Sequence, residues 1–209
     1  MKRILCVLLA CLLMVCVLAS CVKDDSKTDA GNKEDDKKEE ENEKENEKED
    51  EKEDEKEENE QGKTDETGIP EGYQLYSDGK ISFAYPKGWG KQNGTVVILL
   101  TMNGNNITVL YEPKSDIYEK MTLESYMETY MPTYESMGVS ISNVKIEKKE
   151  TNGEKVIVIS QNAVNNGVKM TQTQYIMAVG DRNYVVTVTE VVNDAKLVET
   201  VFQTLKPAQ

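Results

Sequence analysis

Residues 154–168 read Glu154-Lys155-Val156-Ile157-Val158-Ile159-Ser160-Gln161-Asn162-Ala163-Val164-Asn165-Asn166-Gly167-Val168. β-Branched residues dominate the first half, which suits a pleated, half-buried surface. Asn166-Gly167 is a pair that accepts positive φ in a tight hairpin turn. The stretch therefore reads as a strand, Glu154 to Ala163, running into a turn, and the pattern continues on both sides. Upstream, Val139 to Lys149 is a strand candidate separated from it by Asn152-Gly153. Downstream, Val168 to Val179 and Tyr184 to Val191 are separated by Gly180-Asp181. Four runs joined by three short turns predict a four-stranded antiparallel meander.

Toward the N-terminus of the same region, Tyr73 to Tyr76, Asp78-Gly79 and Ile81 to Tyr85 predict a hairpin. Thr95 to Met102, closed by Asn103-Gly104-Asn105 and followed by Ile107 to Tyr111, predicts a second. Two segments break the β pattern. After Thr122 as cap, Leu123, Tyr126, Met127, Tyr130, Met131, Tyr134 and Met137 fall within about 140° of a helix surface. Gly138 supplies the stop, and Pro132, which removes one backbone hydrogen bond, predicts a kink. The Tyr/Met stripe is read as core packing, with an exposed recognition face as the alternative. A second helix is expected from Asn193 as cap, with Leu197, Val198, Val201, Phe202 and Leu205 on one side. Residues 68–209 thus predict one α+β domain of antiparallel strands and two helices, large enough to bury its own core.

The segment Ile81-Ser82-Phe83-Ala84-Tyr85-Pro86-Lys87-Gly88-Trp89 resembles the opening Phe-x-Tyr-Pro-x-x-Trp strand and turn of PsbP-like and DcrB-like domains. The ending from Val198 to Pro207, with Phe202-Gln203-Thr204-Leu205-Lys206, resembles their closing helix. The resemblance spans Tyr73 to Pro207 and implies a central antiparallel sheet with helices on its faces, an α/β/α sandwich. It also implies an accessory or docking role at membranes. Independently of it, Pro86 ends a strand and Trp89, the only tryptophan, is expected to fold back as an apolar plug.

Residues 1–20 have the pattern of an address. Lys2 and Arg3 form a short basic region, and Ile4 to Val17 is a 14-residue apolar run, too short for the roughly 20 residues that span a bilayer. The run ends in Leu18-Ala19-Ser20-Cys21, which resembles the bacterial lipobox. That resemblance implies a lipoprotein signal peptide over 1–20, cleavage before Cys21, and a diacylglyceryl group on the Cys21 thiol. The alternative is an uncleaved anchor or a standard signal peptide with a chance cysteine. Acyl chains contribute about 0.8 kcal/mol per buried CH₂, so two or three together hold a protein at a bilayer. Cys6, Cys11 and Cys16 would leave with the signal peptide.

The chain carries 25 basic and 38 acidic residues, a net charge of −13. Between Val22 and Thr67 there are 10 lysines against 23 acids, so almost all the acidity is concentrated there. A four-residue period, Glu41-Asn42-Glu43-Lys44 repeating through Lys56, would stack like charges at i,i+4 in a helix. With no apolar residue between Gly31 and Gly68, nothing offsets the ordering entropy, so 21–67 is expected to be a lipidated Cys21 and a disordered linker. As a flexible coil it would reach on the order of 35–40 Å.

Such a charge excludes general nucleic-acid binding by counterion release. There is no His, which removes Ser-His-Asp and Cys-His nucleophiles and every His-ligated metal. No Gly-x-Ser-x-Gly, phosphate loop or calcium loop occurs. No cofactor, metal site or catalytic residue is expected. Asn93-Gly94-Thr95 and Asn106-Ile107-Thr108 match the glycosylation sequon but carry little weight in a bacterial-type lipoprotein. Lys145, Lys148, Lys149 and Lys155 are read as a solvated edge that discourages strand pairing.

The expectation is a lipid-anchored extracytoplasmic lipoprotein at the cell membrane. It would present a non-catalytic binding or accessory domain to an unknown protein or envelope polymer. Two alternatives stand beside it. One is an envelope hydrolase or transferase with a carboxylate site among Glu112, Glu124 and Glu128; the other is an accessory component of a transport or export complex.

Overall fold

A computed structural model of the chain describes residues 68–94 and 96–208. The expected signal peptide over 1–20, Cys21, the Glu/Lys-rich segment and Thr95 lie outside the described residues. The chain order is β1 (Tyr73–Ser77), β2 (Ile81–Pro86), β3 (Gly90–Gln92), β4 (Val97–Leu100), β5 (Asn106–Pro113) and α1 (Leu123–Ser136). It continues with β6 (Val139–Thr151), β7 (Glu154–Asn165), β8 (Val168–Val179), β9 (Arg182–Glu190), α2 (Ala195–Thr204) and β10 (Lys206–Pro207).

The expected meander is present. β6, β7, β8 and β9 pair consecutively and antiparallel, and the sheet continues through β5 and β4 to β3, seven strands in all among the described residues. Its turns have the predicted chemistry, since Asn152 and Gly153, then Asn166 and Gly167, all take positive φ. The first hairpin, β1–β2, does not join that sheet. It forms a separate three-stranded sheet with β10, in which Lys206 and Pro207 pair with Ser82 and Ile81. Two strands escape the pattern reading, β3 and β10, because each is too short to show alternation.

Strand alternation gives the large sheet two unlike faces. On one, Ile107, Val109, Val156, Val158, Tyr175, Met177, Tyr184, Val186 and Val188 pack against the small sheet and the α2 residues Leu197, Val201 and Leu205. Trp89 is partly buried against this cluster, as a plug should be. On the other face, Ile98, Leu110, Ile141, Ile159, Ile176 and Val185 pack under Tyr126, Tyr130 and Tyr134 of α1. The result is three layers: α1, the seven-stranded sheet, and a third layer made of α2 and the small sheet.

Thr122 caps α1, accepting from the Ser125 amide while the Ser125 hydroxyl accepts from the Thr122 amide. The helix runs unbroken through Pro132 and ends at Met137, with Gly138 at φ 70°. Its stripe is core, as read, although Leu123 at the first turn is half exposed. α2 is capped by Asp194, whose carboxylate accepts from the Leu197 amide, rather than by Asn193. The cap falls one residue later because Glu190 fixes the Asp194 amide. No helix among the described residues is long and apolar enough to cross a membrane.

Candidate functional site

The site is built from alternate residues on the α2 face of the sheet. Glu147 and Lys149 on β6, Val158 and Ser160 on β7, and Thr173 and Tyr175 on β8 are i,i+2 pairs that share a face. Register brings them together: Glu147 lies opposite Val158, Val158 opposite Tyr175, and Ser160 opposite Thr173. Over them α2 contributes Ala195, Val198, Glu199 and Phe202, at i, i+3, i+4 and i+7 on one helix side. Glu190 at the end of β9 and Asn193 in the connection close one end. The space enclosed is an open cleft of about 400 Å³. A second cleft of about 400 Å³ adjoins it, lined by Ser142, Asn162, Lys169 and Thr171, and shares Glu190 and Asn193.

The cleft's walls are fixed by named hydrogen bonds. The Glu190 carboxylate accepts from the Asp194 amide at 2.6 Å, and the Tyr175 hydroxyl donates to the Val198 carbonyl at 2.8 Å. Burial, then the nearby Glu190 charge, push the Tyr175 hydroxyl's pKa up. At the far end of α2, Thr151 donates to the Phe202 carbonyl (2.9 Å), and the Asn152 amide donates to the carbonyls of Gln203 (2.9 Å) and Leu205 (3.0 Å). The β6–β7 turn thus satisfies helix-end carbonyls that have no intrahelical partner. The connection that carries Asn193 is held by Asn105, which is 1% exposed. Its side-chain oxygen accepts from the Val191 and Val192 amides, both at 2.9 Å, and its nitrogen donates to the Val192 carbonyl at 2.8 Å. Next to it, Gly104 takes φ 92° and a Cβ there would meet Val191 at 3.2 Å, so the close approach needs glycine.

The rim is charged. Lys149 reaches Glu147 at 3.2 Å and sits 6.0 Å above the Phe202 ring. Glu190 is 6% exposed and accepts from the Asp194 amide with one oxygen. Thr173 is also 6% exposed.

The opposite, α1 face is polar in a different way. Gln161 accepts from the Tyr126 hydroxyl (2.9 Å) and donates to the Tyr134 hydroxyl (3.0 Å) and to the Gln172 carbonyl oxygen (3.1 Å). Gln172 in turn donates to Thr189 at 3.4 Å. Glu112, 6% exposed, lies at the β5 end of this face, with neither oxygen in a well-formed hydrogen bond among the described residues. Burial raises its pKa, and the nearby Tyr118 hydroxyl offsets only part of the rise. Burial likewise pushes up the hydroxyls of Tyr118, Tyr126 and Tyr130, the last to about 12.

The carboxylates singled out from sequence are not assembled. Glu112 is buried under the α1 face, Glu124 and Glu128 are exposed on α1, and none of the three lines either cleft. Among the described residues no group of three or more His, Cys, Asp or Glu is placed to hold a metal ion. The lysines read as an edge do lie on or beside β6, an outer strand of the large sheet, and Lys148 donates to the Glu119 carbonyl at 2.7 Å. Sequence reasoning missed Glu147, Glu190, Glu199 and Asn105. The i,i+2 spacing of Glu147 and Lys149 on a strand carried a faint signal; Glu190 reads simply as a strand end.

No protein-family model matches the chain, and no curated protein matches it in sequence. Its structure is similar to the solution structure of cyanobacterial PsbP (CyanoP) from Synechocystis sp. PCC 6803, with TM-score 0.50 and 15% identity over 70% of this chain and 98% of that one. A protein from Bacteroides thetaiotaomicron VPI-5482 matches at TM-score 0.44 and 14% identity, over 66% of this chain and 49% of that one. LpqN, involved in cell envelope biogenesis of Mycobacterium tuberculosis, matches at 0.37 and 10%, over 66% and 91%. The likeness to CyanoP is one of fold, and the domain has a PsbP-like α+β fold.

Proposed function

We propose that the chain is a lipid-anchored extracytoplasmic lipoprotein, displaying its PsbP-like domain as a non-catalytic binding or accessory module. The observation that carries the anchoring is the Leu18-Ala19-Ser20-Cys21 ending of a short apolar run, followed by a long run of charge. Two or more acyl chains on Cys21 would give stable attachment, and the 22–67 segment would hold the domain away from the lipid surface. A binding role is supported by the form of the clefts, which are open and rimmed by polar side chains. Glu124 and Glu128 are exposed on α1, and none of the three carboxylates, Glu112 included, lines either cleft, which weighs against a carboxylate-pair mechanism.

Metabolic labelling with a fatty acid tests the anchor. Label is expected on the wild type and none on Cys21→Ala; equal labelling of both refutes it. Crosslinking the intact protein in its envelope, then identifying what co-purifies, tests the accessory role. A partner in an export or transport complex would specify that role further.

A further inference from the structure

We propose that residues 114–121, which connect β5 to α1, form a pH-sensitive strap, closed while Glu112 beneath it is protonated and loosened when that carboxyl ionises. Glu112 follows Leu110 by two residues on β5, so both side chains take the α1 face of the sheet. There Glu112 is 6% exposed, and neither carboxylate oxygen has a hydrogen bond of good geometry among the described residues. β4 pairs with β5 only from Asn106 to Val109, so β4 does not flank Glu112. The strap supplies cover instead. Its Tyr118 and Met121 are buried in the same cluster as Leu110, Tyr126 and Tyr130, and the Tyr118 hydroxyl lies against the carboxylate.

The groups that face this carboxyl are neutral. The strap contributes the Tyr118 hydroxyl and α1 that of Tyr130, while Glu124 and Glu128 of α1 are exposed. On β9, Asn183 stands opposite Glu112 in register, but its amide donates to the Ser115 carbonyl at 3.1 Å. The neighbouring cations point elsewhere: Lys120 pairs with Asp116, Lys148 donates to the Glu119 carbonyl, Arg182 stacks on the Tyr111 ring, and Lys114 is exposed. A charge formed here is uncompensated, and regaining water is its relief. Lifting the strap admits that water at modest cost, because its polar ties to the sheet are few. They are the Lys114 amide to the Asp181 carbonyl (2.8 Å), Asn183 to Ser115, and Lys148 to Glu119. The sign follows from burial, which raises the Glu112 pKa in the closed form. Closure is most favoured below the open-form pKa and is lost as pH rises through the closed-form value.

The test is amide hydrogen exchange of the intact protein in detergent micelles, read by mass spectrometry and corrected for the intrinsic pH dependence of exchange. The Lys120 and Met121 amides, bonded to the Asp116 and Tyr118 carbonyls in the closed strap, report its opening. They should exchange about tenfold or more faster than the amides of β8, which shows that the strap opens by itself. Their protection should fall about fivefold between about pH 5 and about pH 8. Glu112→Gln should hold the acid-pH protection at both values. Tyr118→Phe, which removes the hydroxyl that offsets part of the charge's cost, should enlarge the fall. Strap protection that does not change with pH overturns the proposal, and so does a fall that survives intact in Glu112→Gln. Strap and β8 amides exchanging at one common rate would assign the response to unfolding of the whole domain and overturn the strap as well. None of these readouts depends on acylation of Cys21, so a failed strap and a failed anchor are distinguishable.

Discussion

The two faces of the seven-stranded sheet are held by different physics. On the α2 face, the third layer buries Ile81, Phe83, Leu197, Val201 and Leu205, all with no exposed surface, against sheet residues such as Val186 and Val188. On the α1 face, tyrosines and glutamines share hydrogen bonds across the interface, and two groups lack them: the Asn106 side-chain oxygen and the Glu112 carboxylate. One face gains stability from packed area; the other gains geometric definition from a network whose net worth per bond is small. One strand serves both purposes because its side chains alternate.

This contrast can be broken at graded cost. The largest effect is expected for Leu197→Ala, which opens a void in the dry face and should cost about 3 kcal/mol in urea unfolding. Asn105→Ala, which strips three hydrogen bonds from the connection between β9 and α2, should cost about 2 kcal/mol. It should also loosen Asn193, visible as faster amide exchange in residues 191–194. On the wet face, Tyr126→Phe leaves the Gln161 oxygen unpaired and should cost about 1.5 kcal/mol.

The smallest effect has the opposite sign. Glu112 has a pKa raised in the folded state, so folding favours its protonated form. Its contribution is most favourable below the unfolded-state pKa and is lost as pH rises through the folded-state value. Glu112→Gln should therefore stabilise the protein at pH 7 by on the order of 0.5–1 kcal/mol and give no gain near pH 4. Urea midpoints at the two pH values check this; an equal gain at both would mean that charge is not the cause.

The difference between the faces also decides what was legible. Asn-Gly turns and runs of Val, Ile and Thr announced the meander, because turn chemistry and β-propensity are local. Thr122 and the Tyr126-Tyr130-Tyr134 spacing announced α1 for the same reason. The separation of β1–β2 from the main sheet was invisible, since it depends on β10 returning from the far end of the chain to Ser82. The cleft was invisible too. Glu147, Glu190 and Glu199 are separated in sequence and meet only through register and helix docking, while Glu112, adjacent to an acid-rich stretch, drew attention it does not merit as part of a pair.

Tyr175, Asp194 and the β6–β7 turn fasten α2 at its middle and both ends, and this bears on how anything enters the space below it. A helix pinned at three levels does not swing like a jaw. An incoming side chain therefore meets a finished mould, and little freedom is left in the host for docking to remove. Association there should be governed by encounter and desolvation rather than by reshaping, with bound and free backbones superimposing closely.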